Sequence, residues 1–106
     1  MTEYIVVYIT ASGEEEAEKI ARVLLENKLA ACVNVVRGVR SIYRWQGKIE
    51  DGAEVLMIVK SRRAHFERLT AAVKKLHSYS VPEIIALPVV EGSEEYLAWL
   101  KEETGG

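Results

Sequence analysis

Cysteine, histidine and glutamate are the side chains that bind borderline divalent metals, and this chain offers Cys32, His77 and Glu83. His77 and Glu83 flank one short irregular stretch, His77-Ser78-Tyr79-Ser80-Val81-Pro82-Glu83. Together with Cys32 they form the candidate set for a borderline divalent metal. Each residue also has a purely structural reading. A free cysteine serves as a small buried hydrophobe, and a histidine at the end of a helix complements the helix dipole. Glu83, after Pro82, can cap or pair across a subunit boundary, and His65 at a helix start reads as a solvated surface residue.

A second set is polar and aromatic: Asn34, Arg40, Tyr43, Trp45, Lys48 and Tyr79. Asn34 with Arg37 or Arg40 on one strand can grip a small anion, or the charges can simply protect an exposed strand edge. The aromatics read as core or interface anchors, or as the lining of a ligand pocket between subunits. No catalytic residue is assigned, because the chain has no nucleophile elbow, phosphate loop or HExxH motif.

The element that must position most of these residues runs from Ala31 to Ser61 and reads as one long β-hairpin, with Gln46-Gly47 as its turn. Its second arm alternates, Val55, Met57 and Val59 on one face against Leu56 and Ile58 on the other, so both faces are expected to be covered at its distal end. The first arm, Ala31 to Trp45, would span roughly 50 Å if unbroken. A domain of this length is only about 35 Å across. One end of the hairpin should therefore overhang its own domain and expose Ile42, Tyr43 and Trp45, which another copy of the chain could cover. The alternative is an arm bulged at Gly38 that folds back.

The other elements follow in order. Thr2 to Thr10 is a β-branched and aromatic run, expected as a central strand. Ser12 and Glu15 have capping-box spacing, and Ala17, Ile20, Ala21 and Leu24 give a helix that Asn27 can end in the left-handed conformation. Arg62 to Leu76 carries Phe66, Leu69, Val73 and Leu76 at helical steps. Ile84 to Val90 is a strand that Pro88 assigns to an edge. Ser93 caps a last helix with Leu97 and Leu100 on its apolar side, and Gly105-Gly106 reads as a frayed tail. This order folds most simply as an α+β, ferredoxin-like βαββαβ sandwich with an antiparallel sheet, helices on one face and an extra C-terminal helix.

Length and charge bound the rest. The 106 residues are enough for one domain, 1–106, with a substantial core. A net charge of −2 disfavours a nucleic-acid binder, whose affinity rests on phosphate neutralisation. An RNA-recognition domain of this fold would carry aromatics on Ala53–Lys60, where there are none. A metallochaperone would carry Cys-x-x-Cys between first strand and first helix, where Thr10-Ala11-Ser12-Gly13 stands. A single cysteine, an acidic N-terminus and the lack of a long apolar run point to a cytoplasmic protein without a membrane segment.

Several stretches resemble one known family: Ala31-Cys32-Val33-Asn34, Ser41-Ile42-Tyr43-Arg44-Trp45-Gln46-Gly47-Lys48-Ile49, His77-x-Tyr79-x-x-Pro82-Glu83-Ile84 and Tyr96-Leu97-x-Trp99-Leu100. In this order they are similar to the CutA divalent-cation tolerance proteins. The resemblance implies a ferredoxin-like protomer in a tight homotrimer joined through its long hairpins, an architecture also similar to the trimeric PII signalling proteins. It further implies a role in tolerance of copper and other divalent metals, and the chain is read as a metal- or small-ligand-binding signalling module tied to that role. Alternatives are a structural trimer acting through protein partners, and an enzyme on a small anionic metabolite in the intersubunit cleft. Cys32, Asn34, Tyr43, Trp45, Gly47, Lys48, His77, Tyr79, Pro82 and Glu83 fall on the family's characteristic positions. The chain departs from the family at Ser78, where Pro is common. It also has Ile9 and Leu76 where copper-binding relatives are proposed to place a Cys and a second His.

Overall fold

The structure, a computed structural model, describes residues 3–105. Thr2, the expected start of the first strand, and Gly106 of the expected tail lie outside them. The elements run β1 (Tyr4–Ala11), α1 (Glu14–Glu26), β2 (Cys32–Trp45), β3 (Lys48–Arg62), α2 (Phe66–Leu76), β4 (Ile84–Pro88) and α3 (Glu94–Glu103). A 3-10 turn, Arg63–His65, leads into α2, so the second helix begins later than its apolar period alone implies. The strand β4 stops at Pro88, short of Val90.

The four strands form one antiparallel sheet in the order β2-β3-β1-β4. The hairpin's first arm and the Pro88 strand are thus the two edges, as Pro88's missing N–H requires. β1 is central, and its alternation is strict: Ile5, Val7, Ile9 and Ala11 are buried while Tyr4, Val6, Tyr8 and Thr10 are half-buried. Opposite them β3 contributes Val55, Met57 and Val59, and α1 and α2 close the core with Ala17, Ile20, Leu24, Leu69 and Val73.

The third helix departs from the one-sided arrangement. Arg62 alternates away from the buried Ser61 on β3, and its guanidinium holds α3's C-cap: Nε donates to Thr104 Oγ1 at 2.9 Å, and Nη2 to the Thr104 carbonyl at 3.0 Å. So α1 and α2 cover one face, and α3 covers an end of the other. His65 joins this cluster through Nε2 at 2.8 Å from the Thr104 carbonyl, with Nδ1 2.6 Å from Arg68, and is half-buried rather than solvated. Thr104 itself is buried, so the described end of the chain is anchored.

Local chemistry corrects two helix boundaries. Gly13 occupies the N-cap of α1 and makes no side-chain cap. Glu16, not Glu15, reaches back, accepting from the Ser12 N–H at 2.9 Å and the Ser12 hydroxyl at 3.0 Å. At the other end Lys28, with φ 57°, takes the left-handed conformation expected of Asn27. Asn27 instead donates its side-chain amide to the Val23 carbonyl at 2.8 Å.

The hairpin is both bulged and overhanging. Gln46 and Gly47 have φ of 51° and 80°, the doubly positive pair of a two-residue hairpin turn. The register slips between Val36 and Val39, with Gly38 at φ 76°. A bulge of this kind bends and twists the arm without ending it. The protein therefore extends 44 Å along one axis against 26 and 23 Å on the others. At the far end of β3 from the turn Val55, Met57 and Val59 are buried and Leu56 and Ile58 on the other face half-buried, whereas toward the turn neither face of the hairpin is covered within the protomer: Ile42 is 62% and Ile49 71% exposed. Among the described residues, no helix is long and apolar enough to cross a membrane.

Candidate functional site

Alternation along the hairpin decides which side chains share a face. Ser41, Tyr43 and Trp45 on β2 face the same way as Gly52 and Glu54 on β3, whereas Arg40 and Asp51 face the other way. The loop after α2 folds over the first of these faces. The result is a cavity of about 620 Å³, open to solvent on one side. Tyr43, Trp45 and Tyr79 supply its aromatic walls, Glu54 and Glu83 its carboxylates, and Thr10, Ser41, Ile42, Ser80 and Val81 complete the lining.

The loop is set by a chain of hydrogen bonds that starts on α1. Glu16 accepts from the Ser78 N–H at 2.7 Å as well as from Ser12. Burial would raise the Glu16 carboxyl, but the donors of Ser12 and Ser78 outweigh it and bring it down from 4.5 to about 2. His77 follows, its side chain fully buried. Its Nδ1 accepts from the Tyr79 N–H at 3.1 Å, which places the ring proton on Nε2, and Nε2 donates to the Thr10 carbonyl at 2.7 Å. The His77 and Tyr79 rings then pack at 4.7 Å between centroids. Tyr79 completes the chain by donating its hydroxyl to Glu54 at 2.7 Å. Burial, the Glu54 hydrogen bond and the Glu54 charge all push the Tyr79 phenol up, so it stays a donor.

The expected residues divide into separate places. Tyr43, Trp45, Tyr79 and Glu83 meet in the cleft, with His77 behind its wall. Cys32 and Asn34 lie far along β2, where Lys60 contacts both: its ammonium is 3.9 Å from Cys32 Sγ and donates to the side-chain amide oxygen Oδ1 of Asn34. Tyr96 of α3 also reaches Cys32, and burial together with that contact raises its phenol. Arg40 is on the opposite face of the hairpin, bound bidentately to Asp51 at 2.9 and 2.6 Å. Lys48 pairs with Trp45 beside the turn and does not line the cavity. Asn34 and Arg40 therefore do not join in one anion grip.

A copper site built from His77, Glu83 and Cys32 does not fit this protomer. Both ring nitrogens of His77 have protein partners, so neither offers a free lone pair. Cys32 stands in its own cluster with Lys60, and among the described residues no three His, Cys, Asp or Glu side chains lie close enough to hold a metal ion. Two residues that hold the cleft's wall, Glu54 from within it and Glu16 from behind, were not singled out by spacing. Glu54 carried one signal, since it shares a face with Leu56 and Ile58 and so brings a charge into an apolar row. Glu16 was hidden among three consecutive glutamates that suit a helix N-terminus equally well.

Sheet order, overhanging hairpin and acidic, aromatic cleft define a small α+β protein with three helices on a four-stranded antiparallel sheet. The chain belongs to the CutA1 divalent ion tolerance family, whose sequence pattern matches residues 5–103. It is 54% identical over 100 residues to the divalent-cation tolerance protein CutA of Thermus thermophilus, covering 94% of this chain and 97% of that protein. Against the chloroplastic CutA of Arabidopsis thaliana it is 48% identical, again over 94% of this chain, but spans only 55% of the plant protein. The fold agrees with the solved structure of the Thermus thermophilus divalent cation tolerance protein (TM-score 0.94, 53% identity, 96% of this chain and 99% of that one). It agrees equally with the Archaeoglobus fulgidus structure described as a periplasmic divalent cation tolerance protein (TM-score 0.93, 46% identity, 95% and 98%).

Proposed function

We propose that this chain acts as a homotrimer of ferredoxin-like protomers that serves divalent-cation tolerance by binding a small ligand in the cleft beside its hairpin, as a signalling module and not as an enzyme. The observation that carries the reading is the cleft itself, a sizeable cavity whose wall is fixed from Glu16 through His77 to Tyr79 and Glu54. A site held by a relay of this length is preorganised for binding.

Two features support assembly. The sheet has two unlike open edges, β2 and β4, and a contact between unlike surfaces repeats head to tail until it closes into a ring. Apolar side chains accompany both edges: Ile42 and Ile49 on the hairpin, and Ile85, Leu87 and the following Val90 at the other. Leaving them in water costs about 25 cal/mol per Å² of apolar surface. Copper, if it acts on this protein, needs ligands from more than one protomer or from outside the His77 loop. The lone thiol of Cys32 suits a reducing compartment such as the cytoplasm, although relatives bear chloroplastic and periplasmic descriptions.

Native mass spectrometry of the chain purified from cells tests the whole reading. The expected spectrum shows three times the 11.9 kDa protomer mass plus a small retained adduct. The adduct should be lost in Trp45→Ala with the assembly retained. A bare monomer removes the proposal.

A further inference from the structure

The cleft's chemistry says what kind of ligand it takes, and this step rests on the cleft being the functional site. We propose that it binds an organic cation bearing N–H donors, an alkylammonium or guanidinium compound, held between aromatic faces and two carboxylates. No lysine or arginine lines the cavity, while Glu54 and Glu83 both do. An anionic ligand would meet like charge there without a compensating cation, since Arg40 is engaged by Asp51 on the opposite face.

The carboxylates have acceptor capacity to spare. Glu54 gives one oxygen to the Tyr79 hydroxyl and keeps the other. Glu83 has no hydrogen-bond or ion-pair partner among the described residues. Around them stand Tyr43, Trp45 and Tyr79, whose ring faces attract a cation through the aromatic quadrupole. Among the described residues no three His, Cys, Asp or Glu side chains gather there to hold a bare metal ion. An organic cation suits them better, because its carbon skeleton packs on the rings while its N–H groups reach the carboxylates. The tyrosine that bridges the two kinds of surface is already fixed by His77 and Glu54, so little ordering remains for the moment of binding.

Calorimetric titration of the full chain at neutral pH decides the matter, with agmatine and putrescine as probes and glutarate, Mg(II) and Cu(II) in parallel arms. Agmatine or putrescine should bind, glutarate should give no heat, and affinity should fall at least tenfold in Glu54→Gln and in Trp45→Ala. Glu54→Gln keeps an acceptor for the Tyr79 hydroxyl, and Glu83→Gln, at an exposed position, gives a further variant free of folding effects. Amines that give no heat, or bind equally well to all three variants, overturn the assignment. So does tighter binding of glutarate, or of a metal ion in competition with agmatine. Sedimentation of the same samples separates the two proposals. A ligand-silent trimer sinks the cation assignment and leaves the assembly standing. A monomer that binds agmatine with the expected variant pattern does the reverse, because every lining residue belongs to one protomer.

Discussion

Val59 and Ile49 lie on the same strand, yet Val59 is fully buried and Ile49 is 71% exposed. At Val59 the strand passes beneath α1 and α2, pairs with β1 and joins a core that the protomer completes by itself. At Ile49 it pairs only with β2, and apolar side chains extend into solvent. One strand therefore has two roles: its C-terminal half stabilises the protomer, and its N-terminal half presents a surface whose burial must come from elsewhere. The contrast also explains the cleft, which lies where the hairpin leaves the shelter of the helices and a loop folds over the face left open.

The sharpest way to break this contrast is in the core. Leu69→Ala removes a fully buried side chain, and should lower unfolding free energy by about 2–5 kcal/mol in urea titrations. In the hairpin, Ile42→Asp with Ile49→Asp should leave the far-UV spectrum of the protomer intact while shifting the sedimenting species to lower mass. An unfolded double variant would mean the hairpin belongs to the protomer's own core after all. Gly38→Ala probes the bulge between the two regimes. Nothing lies within 4 Å of an added Cβ, so only the φ of +76° is strained, a cost of about 1–2 kcal/mol.

Acid titration gives a smaller, signed effect. The folded state holds Glu16 near 2 against an ordinary 4.5, so its contribution is complete above about 4.5 and is lost as pH falls toward 2. Glu16→Gln should therefore narrow the stability gap between pH 6 and pH 3; an unchanged gap would show that the Ser12 and Ser78 bonds do not matter to folding. Arg40→Ala is expected to do least. Its ion pair with Asp51 is solvent-exposed, and melting temperature should not move measurably. A clear drop would place Arg40 at a buried contact between subunits.

Much of the architecture was legible because it rests on local rules. Strict alternation in β3, helical steps from Phe66 to Leu76, the Gln46-Gly47 turn and Pro88 at an edge each follow from backbone geometry or periodicity, which neighbouring residues carry with them. The candidate site was legible only in part. Tyr43, Trp45 and Tyr79 were named but grouped with Asn34, Arg40 and Lys48, and Glu83 with His77 and Cys32, because a list of residue types does not say which face of a bulged ribbon each one takes.

By itself the chain's order of residues determined the strands, the helices and the overhang of the hairpin, since pattern and length are properties of the covalent chain. Tertiary structure alone decided that His77 gives both nitrogens to the backbone, that Glu16 and Glu54 hold the loop, and that Arg40 turns away from the cleft. Those outcomes depend on groups far apart in sequence meeting at hydrogen-bond distance, and only the packing of helix, loop and sheet sets such distances.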